Sequence, residues 1–188
     1  MPKPILLDVP EQFESERLTI RAPRFGEGAV LNQAIMESLE SLRPWMPWAH
    51  PPPAVEDSEE FSRLSRVKFL AREEFGLRLW LKGTEMLVGS SGLHVRDWSV
   101  PAFEIGYWCR KQFEGRGYIT EAVIAITRFG FDVLTAECII IRCDARNERS
   151  SAVSRRCGYT LEGTMRHDSR GVDGDRRDTL LFSKVRNE

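Results

Sequence analysis

Three features of the sequence predict a mixed α+β fold. Runs with a period of two residues alternate with stretches of helical period, and the two kinds succeed one another without a linker. Residues 138–143 form a nearly continuous apolar run, which fits a strand covered on both faces. At 188 residues the chain is long enough for one core and too short for two ordinary ones, so a single domain over 1–188 is expected.

Glu16-Arg17-Leu18-Thr19-Ile20-Arg21-Ala22 alternate polar and apolar side chains, as a half-buried opening strand does. Helical material is expected over 27–42. The stretch 43–53 then breaks it with five prolines, and Trp45 and Trp48 make this loop stiff and aromatic. Asp57-Ser58-Glu59-Glu60 has capping-box spacing, and Phe61, Leu64, Lys68, Ala71 and Phe75 recur at helical intervals. A second helix over 57–75 follows, with Glu59, Glu60, Glu73 and Glu74 on solvated faces. From Leu77 the period is two, and a turn at Gly83-Thr84 makes a hairpin of 77–82 with 86–95.

A third strand over 102–109 leads into Gln112-Phe113-Glu114-Gly115-Arg116-Gly117-Tyr118. Two glycines one residue apart let a tight turn aim successive N–H groups into one concavity, and the following helix adds the positive end of its dipole. The segment is thus an anion cradle suited to a pyrophosphate. Ala122, Val123, Ile126, Phe129 and Val133 form that helix's apolar stripe. After the strand at 138–143, Asn147 is placed as the N-cap of a short helix, and Gly158 stands where a left-handed C-cap belongs. Strands near 159–166 and 177–185 flank a polar loop at 168–175.

Composition narrows the function. A net charge of −1 gives no electrostatic case for nucleic acid or an anionic membrane, and neither is expected as a partner. The N-terminal Met1-Pro2-Lys3-Pro4-Ile5-Leu6-Leu7-Asp8 is too short in apolar residues for a signal peptide, and nothing else reaches membrane length, so a cytoplasmic protein is expected. Cys109, Cys138, Cys143 and Cys157 form no Cys-x-x-Cys pair, and His50, His94 and His167 are scattered, so no metal is expected.

The order of strand, Gln-x-x-Gly-x-Gly, helix, buried strand and Asn147 resembles the GNAT acetyltransferase superfamily across nearly the whole chain. Phe103-Glu104-Ile105-Gly106-Tyr107-Trp108, Asn147-Glu148-Arg149-Ser150 and Tyr159-Thr160-Leu161-Glu162-Gly163 look like its ribosomal-protein N-terminal acetyltransferase branch. The resemblance implies a mixed, mostly antiparallel central sheet, flanked by helices, whose splayed strands 102–109 and 138–143 admit acetyl-coenzyme A. It implies that Ile105, Tyr107 and Trp108 pair with the pantetheine arm as a strand edge would. Gln112, Phe113, Glu114, Gly115, Arg116, Gly117 and Tyr118 would then hold the pyrophosphate, with Asn147 and Ser150 also on the cofactor.

An acceptor amine must lose a proton to attack the thioester, and the departing thiolate needs a hydrogen bond. Glu104, a carboxylate on the strand lining the acetyl group, is the first choice of base, with Asp168 and Glu162 in reserve. Ser150 is the candidate donor to the thiolate, or else a first-turn serine satisfying an amide. Many superfamily members place a tyrosine acid seven positions after the Asn, where this chain has Ser154; Tyr107 and Tyr118 are left to approach the sulfur. Trp45, Trp48, Trp80 and His94 are candidates for acceptor binding, His94 also for a proton relay; Trp98 has no assigned role. Cys143 needs no part in direct transfer.

The expected activity is direct acetyl transfer to a primary amine, the N-terminus of a ribosomal protein by resemblance. A small-molecule amine (polyamine, amino acid or antibiotic) is the alternative, and a non-catalytic acyl-coenzyme A sensor is a third reading. A nucleotide-binding protein is disfavoured, because neither Gly-x-x-x-x-Gly-Lys-Ser/Thr nor Gly-x-Gly-x-x-Gly is present. A homodimer is expected from resemblance alone.

Overall fold

The computed structural model describes residues 3–188; Met1 and Pro2 of the N-terminal segment lie outside the described residues. One sheet of eight strands runs in the order β1-β2-β3-β4-β5-β6-β8-β7. Its strands are β1 (Gln12–Glu14), β2 (Leu18–Arg21), β3 (Glu74–Leu81), β4 (Leu87–Asp97), β5 (Ala102–Cys109), β6 (Cys138–Asp144), β7 (Thr160–Arg170) and β8 (Arg176–Val185). The helices are α1 (Gly28–Met36), α2 (Leu39–Leu42), α3 (Val55–Ala71), α4 (Tyr118–Asp132) and α5 (Glu148–Arg156). Every neighbouring pair of strands is antiparallel except β5 with β6.

That parallel pair is short. Ala102, Phe103 and Glu104 face Cys138, Ile139 and Ile140, and the pairing stops there although both strands continue. Among the described residues no strand pairs with the β6 side of β5 from Ile105 to Cys109, so the sheet is split at its centre, as the resemblance implied.

Residues opposite one another across an antiparallel pair project to the same face. On one face Phe75, Leu93 and Ile105 form a cross-strand row that packs with Phe103, Ile126 and Ile139 in the main core, closed by α4. On the other face lie three successive rows: Glu74–His94–Glu104, Gly76–Gly92–Gly106 and Arg78–Ser90–Trp108. This face meets α1 and α3, and its glycine row leaves space above the sheet.

Two helical expectations are corrected. The stretch 27–42 divides at Ser38, a fully buried serine whose Oγ donates back to the Ala34 carbonyl of α1 at 2.6 Å and accepts the Lys111 amide at 2.9 Å. The second helix ends at Ala71, and Glu74 and Phe75 belong to β3 instead, where pairing with His94 and Leu93 overrides the helical period. Its buried side is Ser58, Ser62, Ser65 and Phe69; Phe61 and Leu64 are 54% and 52% exposed. Small hydroxyl residues therefore face the sheet where an apolar stripe was expected. The expected capping box is shifted too: Asp57 accepts the amide of Ala54, at the start of α3. Glu59 is not simply solvated, since its carboxylate accepts the amides of Gly26 and Gly28 at 2.8 Å each, capping α1 from α3.

Candidate active site

The glycine loop has the conformation its sequence asks for. Gly115 and Gly117 take φ of +73° and +80°, a region that costs an L side chain strain, and Gly117 is the N-cap of α4. Among the described residues the amides of Gly115, Arg116 and Gly117 have no acceptor. The expected cradle is narrowed at its start, because the amides of Phe113 and Glu114 close a 3-10 turn on Arg110 and Lys111. Phe113 is buried beneath the loop and Gln112 is exposed. The Glu114 carboxylate pairs with Arg149 at 2.9 Å, while Tyr118 begins α4.

Positive charge surrounds these free amides. The Arg116 side chain is exposed, and Arg17, which the sequence did not single out, lies over the Tyr118 ring at 4.3 Å and donates to the Arg116 carbonyl at 3.1 Å. Glu121 fixes Arg17 by accepting its Nε at 2.6 Å. Amides, helix dipole and guanidinium together suit a pyrophosphate.

At the split, Ile105 turns its side chain into the core and leaves its backbone on the open edge. Tyr107 points to the α5 side, where its hydroxyl lies 2.9 Å from Ser150 Oγ and 3.1 Å from the Ser150 carbonyl. Burial pushes the Tyr107 phenol up to about 12. At neutral pH it holds its proton and donates a hydrogen bond to the Ser150 carbonyl. Asn147 caps α5 by accepting the Ser150 amide at 3.0 Å, which leaves the Ser150 hydroxyl free for Tyr107. Cys143 is buried nearby, and burial raises its thiol above the ordinary range, which disfavours the nucleophilic thiolate.

Above the glycine row lies a cavity of about 480 Å³ between the sheet, α1, α3 and the proline-rich loop. Its wall at Gly106, Tyr107 and Trp108 is the part of β5 that has left β6, so the cavity reaches the split. Trp48 closes it from the loop, 6.3 Å from Trp108 between ring centroids. Trp45 and Trp80 do not line it. Trp80 is packed among Leu31, Ile35, Leu42 and Leu87 with Arg21 over its ring at 4.7 Å, because its position on β3 lies beyond the last open row.

His94 and Glu74 lie in the cavity, with Nδ1 and Oε1 3.1 Å apart. A Cβ placed on Gly106 would come within 3.3 Å of His94 Nε2, so that nitrogen sits directly over the β5 backbone at the split. The hydrogen bond from His94, ahead of desolvation, holds Glu74 down at about 2, and the same bond raises His94 above its ordinary value. Glu104 belongs to the same row, but its carboxylate is held by Arg96 at 3.0 Å and does not line the cavity. Asp168 pairs with Arg142 at 2.6 Å and Glu162 accepts from Ser183, both away from it.

Glu74 and Arg78 of the cavity were missed in the sequence. The helical spacing over 57–75 takes in Glu74, and Arg78 stands between Leu77 and Leu79, where alternation suggests a solvated side chain. The usable signal was the spacing Glu74-x-Gly76-x-Arg78, an open row between two charges on one strand face.

Residues 17–160 match the family described as Acetyltransferase (GNAT) domain. Over 174 residues the chain is 29% identical to a Bacillus subtilis (strain 168) protein named "Putative ribosomal N-acetyltransferase YdaF", covering 93% of this chain and 94% of that one. Among solved structures it is similar to the microcin C7 self-immunity acetyltransferase MccE in complex with acetyl-CoA and AMP, at 24% identity and TM-score 0.85, over 91% of this chain and 93% of that one. The ribosomal-protein-S5-alanine acetyltransferase from Vibrio fischeri superposes with TM-score 0.85 at 21% identity, over 96% and 98% of the two chains. The split sheet, the glycine cradle and the matched residues agree: the chain belongs to the GNAT family and is an acetyl-CoA-dependent N-acetyltransferase.

Proposed function

We propose that this enzyme acetylates the N-terminal amine of a protein, a ribosomal protein in the first instance, with the cavity above the glycine row as the acceptor site. The observation that carries the reading is the His94 imidazole, which stands over Gly106 where the cavity meets the split. Acetyl-CoA supplies the activated acyl group when bound. His94 takes the proton of the attacking amine, directly or through a water, and Glu74 orients the ring and stabilises the imidazolium. Glu104, next in the row, adds a second negative charge at one strand's remove. On the opposite face Tyr107 and Ser150 offer hydroxyls to the departing thiolate.

The protein acceptor is supported by the name of the Bacillus subtilis relative and by the motif resemblance of the segments at 103–108 and 147–150. A small-molecule amine is the second reading, favoured by the cavity's size of about 480 Å³ and its closure by Trp48 and Trp108. Thiol release from acetyl-CoA against peptides with free N-termini and against small amines separates the two. Turnover of peptides alone supports the first, turnover of small amines alone the second. Donor binding without transfer to any acceptor turns the reading toward an acyl-CoA sensor.

A further inference from the structure

Arg78 is out of place in an apolar strand. It is 2% exposed, lines the cavity, and lies two residues along β3 from the glycine row and four from Glu74. A buried guanidinium is costly unless a carboxylate or phosphate offsets its desolvation. Its only hydrogen bonds among the described residues go to neutral hydroxyls, Ser90 Oγ at 2.9 Å and Ser62 Oγ at 3.3 Å, and its Nε has no partner.

The acids around it are engaged elsewhere. Glu27 is paired with Arg21 at 2.5 Å and accepts the Arg24 amide at 2.9 Å. Glu74 is held by His94 and Lys68, and Asp57 by the Ala54 amide. Among the described residues Arg21, Arg78 and Glu27 therefore leave one positive charge without a carboxylate partner, beside a cavity and 5.4 Å from the centroid of the Phe61 ring. Ser62 and Ser90 hold the guanidinium in place without neutralising it, which is how a protein keeps a charge available for an incoming anion.

We propose that the cavity takes an oxyanion, a carboxylate or phosphate, at Arg78, with Ser62 and Ser90 positioning the guanidinium. The inference rests on the reading of this cavity as the acceptor site, and it makes the acceptor an amine that also carries a negative group. The β3 positions of Glu74 and Arg78 are four residues apart, about 13 Å along the strand. The amine end at His94 and the anion end at Arg78 are thus separated by the glycine row. A simple α-amino acid, whose amine and carboxylate share one carbon, is too short to use both. An acidic side chain near a protein N-terminus and the far carboxylate or phosphate of a longer small amine both fit.

The test has two readouts. In the first, the Arg78 side-chain Nε–H signal is followed by NMR on ¹⁵N-arginine-labelled enzyme during titration with glutarate and with inorganic phosphate, using Arg78→Met to assign the signal. A saturable shift with either anion is expected; no saturable shift with both overturns the proposal. In the second, kcat/KM is compared for peptides with Glu or Gln at the second or third position, and for long ω-amino carboxylates against their amides. The wild type should prefer the anionic member at least tenfold, chiefly through KM, and Arg78→Met should erase that preference while its melting temperature stays at or above the wild-type value. The two series show whether the anion belongs to a peptide or a small molecule. Equal use of anionic and neutral acceptors, or a preference that survives in a folded Arg78→Met, overturns the proposal. A saturable shift by glutarate that does not compete with the acceptor leaves the anion site standing and removes the acceptor reading of the cavity.

Discussion

Glu74 and His94 are directly opposite one another on β3 and β4, and their side chains meet at 3.1 Å in the cavity that reaches the split of the sheet. The pair is held at one end by Lys68, 3.1 Å from Glu74, and ends at the other in an imidazole nitrogen poised over Gly106. It brings together what a proton acceptor for an amine needs: an orienting carboxylate, a titratable ring and a position beside the open strand edge.

The pair sets the pH dependence. His94 acts as a base only when neutral, and the Glu74 bond raises its pKa, so kcat/KM falls as pH drops through a value above the ordinary 6.5. In Glu74→Gln that support is gone and the acid limb moves to lower pH. His94→Gln loses roughly 10²–10⁴ in kcat. A pH–rate profile of each variant checks this.

Stability has its own window. Glu74 is depressed to about 2, so its contribution is complete above the unfolded carboxylate pKa and is lost as pH falls toward 2. His94 is raised, so its contribution is complete below its unfolded pKa and is lost as pH rises through the folded one. Wild type and Glu74→Gln should therefore differ most in melting temperature at about pH 5–6 and less at alkaline pH, where the imidazolium is lost and the ion pair with Lys68 remains.

Gly106 leaves room for the imidazole. In Gly106→Ala the new methyl meets His94 Nε2 at 3.3 Å, and the ring must shift to admit it. The expected result is a drop in kcat of about tenfold or more with acetyl-CoA affinity retained, as read by steady-state kinetics and donor titration.

Gly117→Ala tests the cradle. Its Cβ would stand at an ordinary 3.5 Å from Arg17, so the penalty is the φ of +80° rather than lack of space. The strain costs about 1 kcal/mol or more, and the KM for acetyl-CoA should rise about tenfold while acceptor preference is unchanged.

Tyr107→Phe removes the hydroxyl shared with Ser150 and should lower kcat by about 10- to 100-fold without changing donor affinity. Cys143→Ala should stay close to wild type. Mass spectrometry of enzyme incubated with acetyl-CoA alone should find no acetylated protein, since transfer is direct and the Cys143 thiol is kept protonated by burial.

Local signals were legible where local chemistry decides. β5 has the expected bounds, Gly115 and Gly117 take the positive φ that their turn requires, Asn147 caps α5 as placed, and Gly158 takes its left-handed φ of +75° one residue past the C-cap, Cys157. What was hidden depends on register. The tie between Glu104 and Arg96 arises where β4 and β5 shift at Val95 and Asp97, and no spacing in either strand announces it. The buried side of α3 was masked because Phe61 and Leu64 suggest an apolar stripe, whereas serines face a sheet surface that carries Arg78. Trp80 reads equally well as wall or core until its row is known to lie past the cavity.

Thiol release from acetyl-CoA, on the best acceptor found, by His94→Gln and Glu104→Gln side by side decides whether His94 is the base. His94→Gln is expected to lose at least a hundredfold in kcat while still binding acetyl-CoA, and Glu104→Gln, whose carboxylate is already held by Arg96, to lose far less. A His94→Gln enzyme at full rate beside an inactive Glu104→Gln would contradict it and return the base to Glu104.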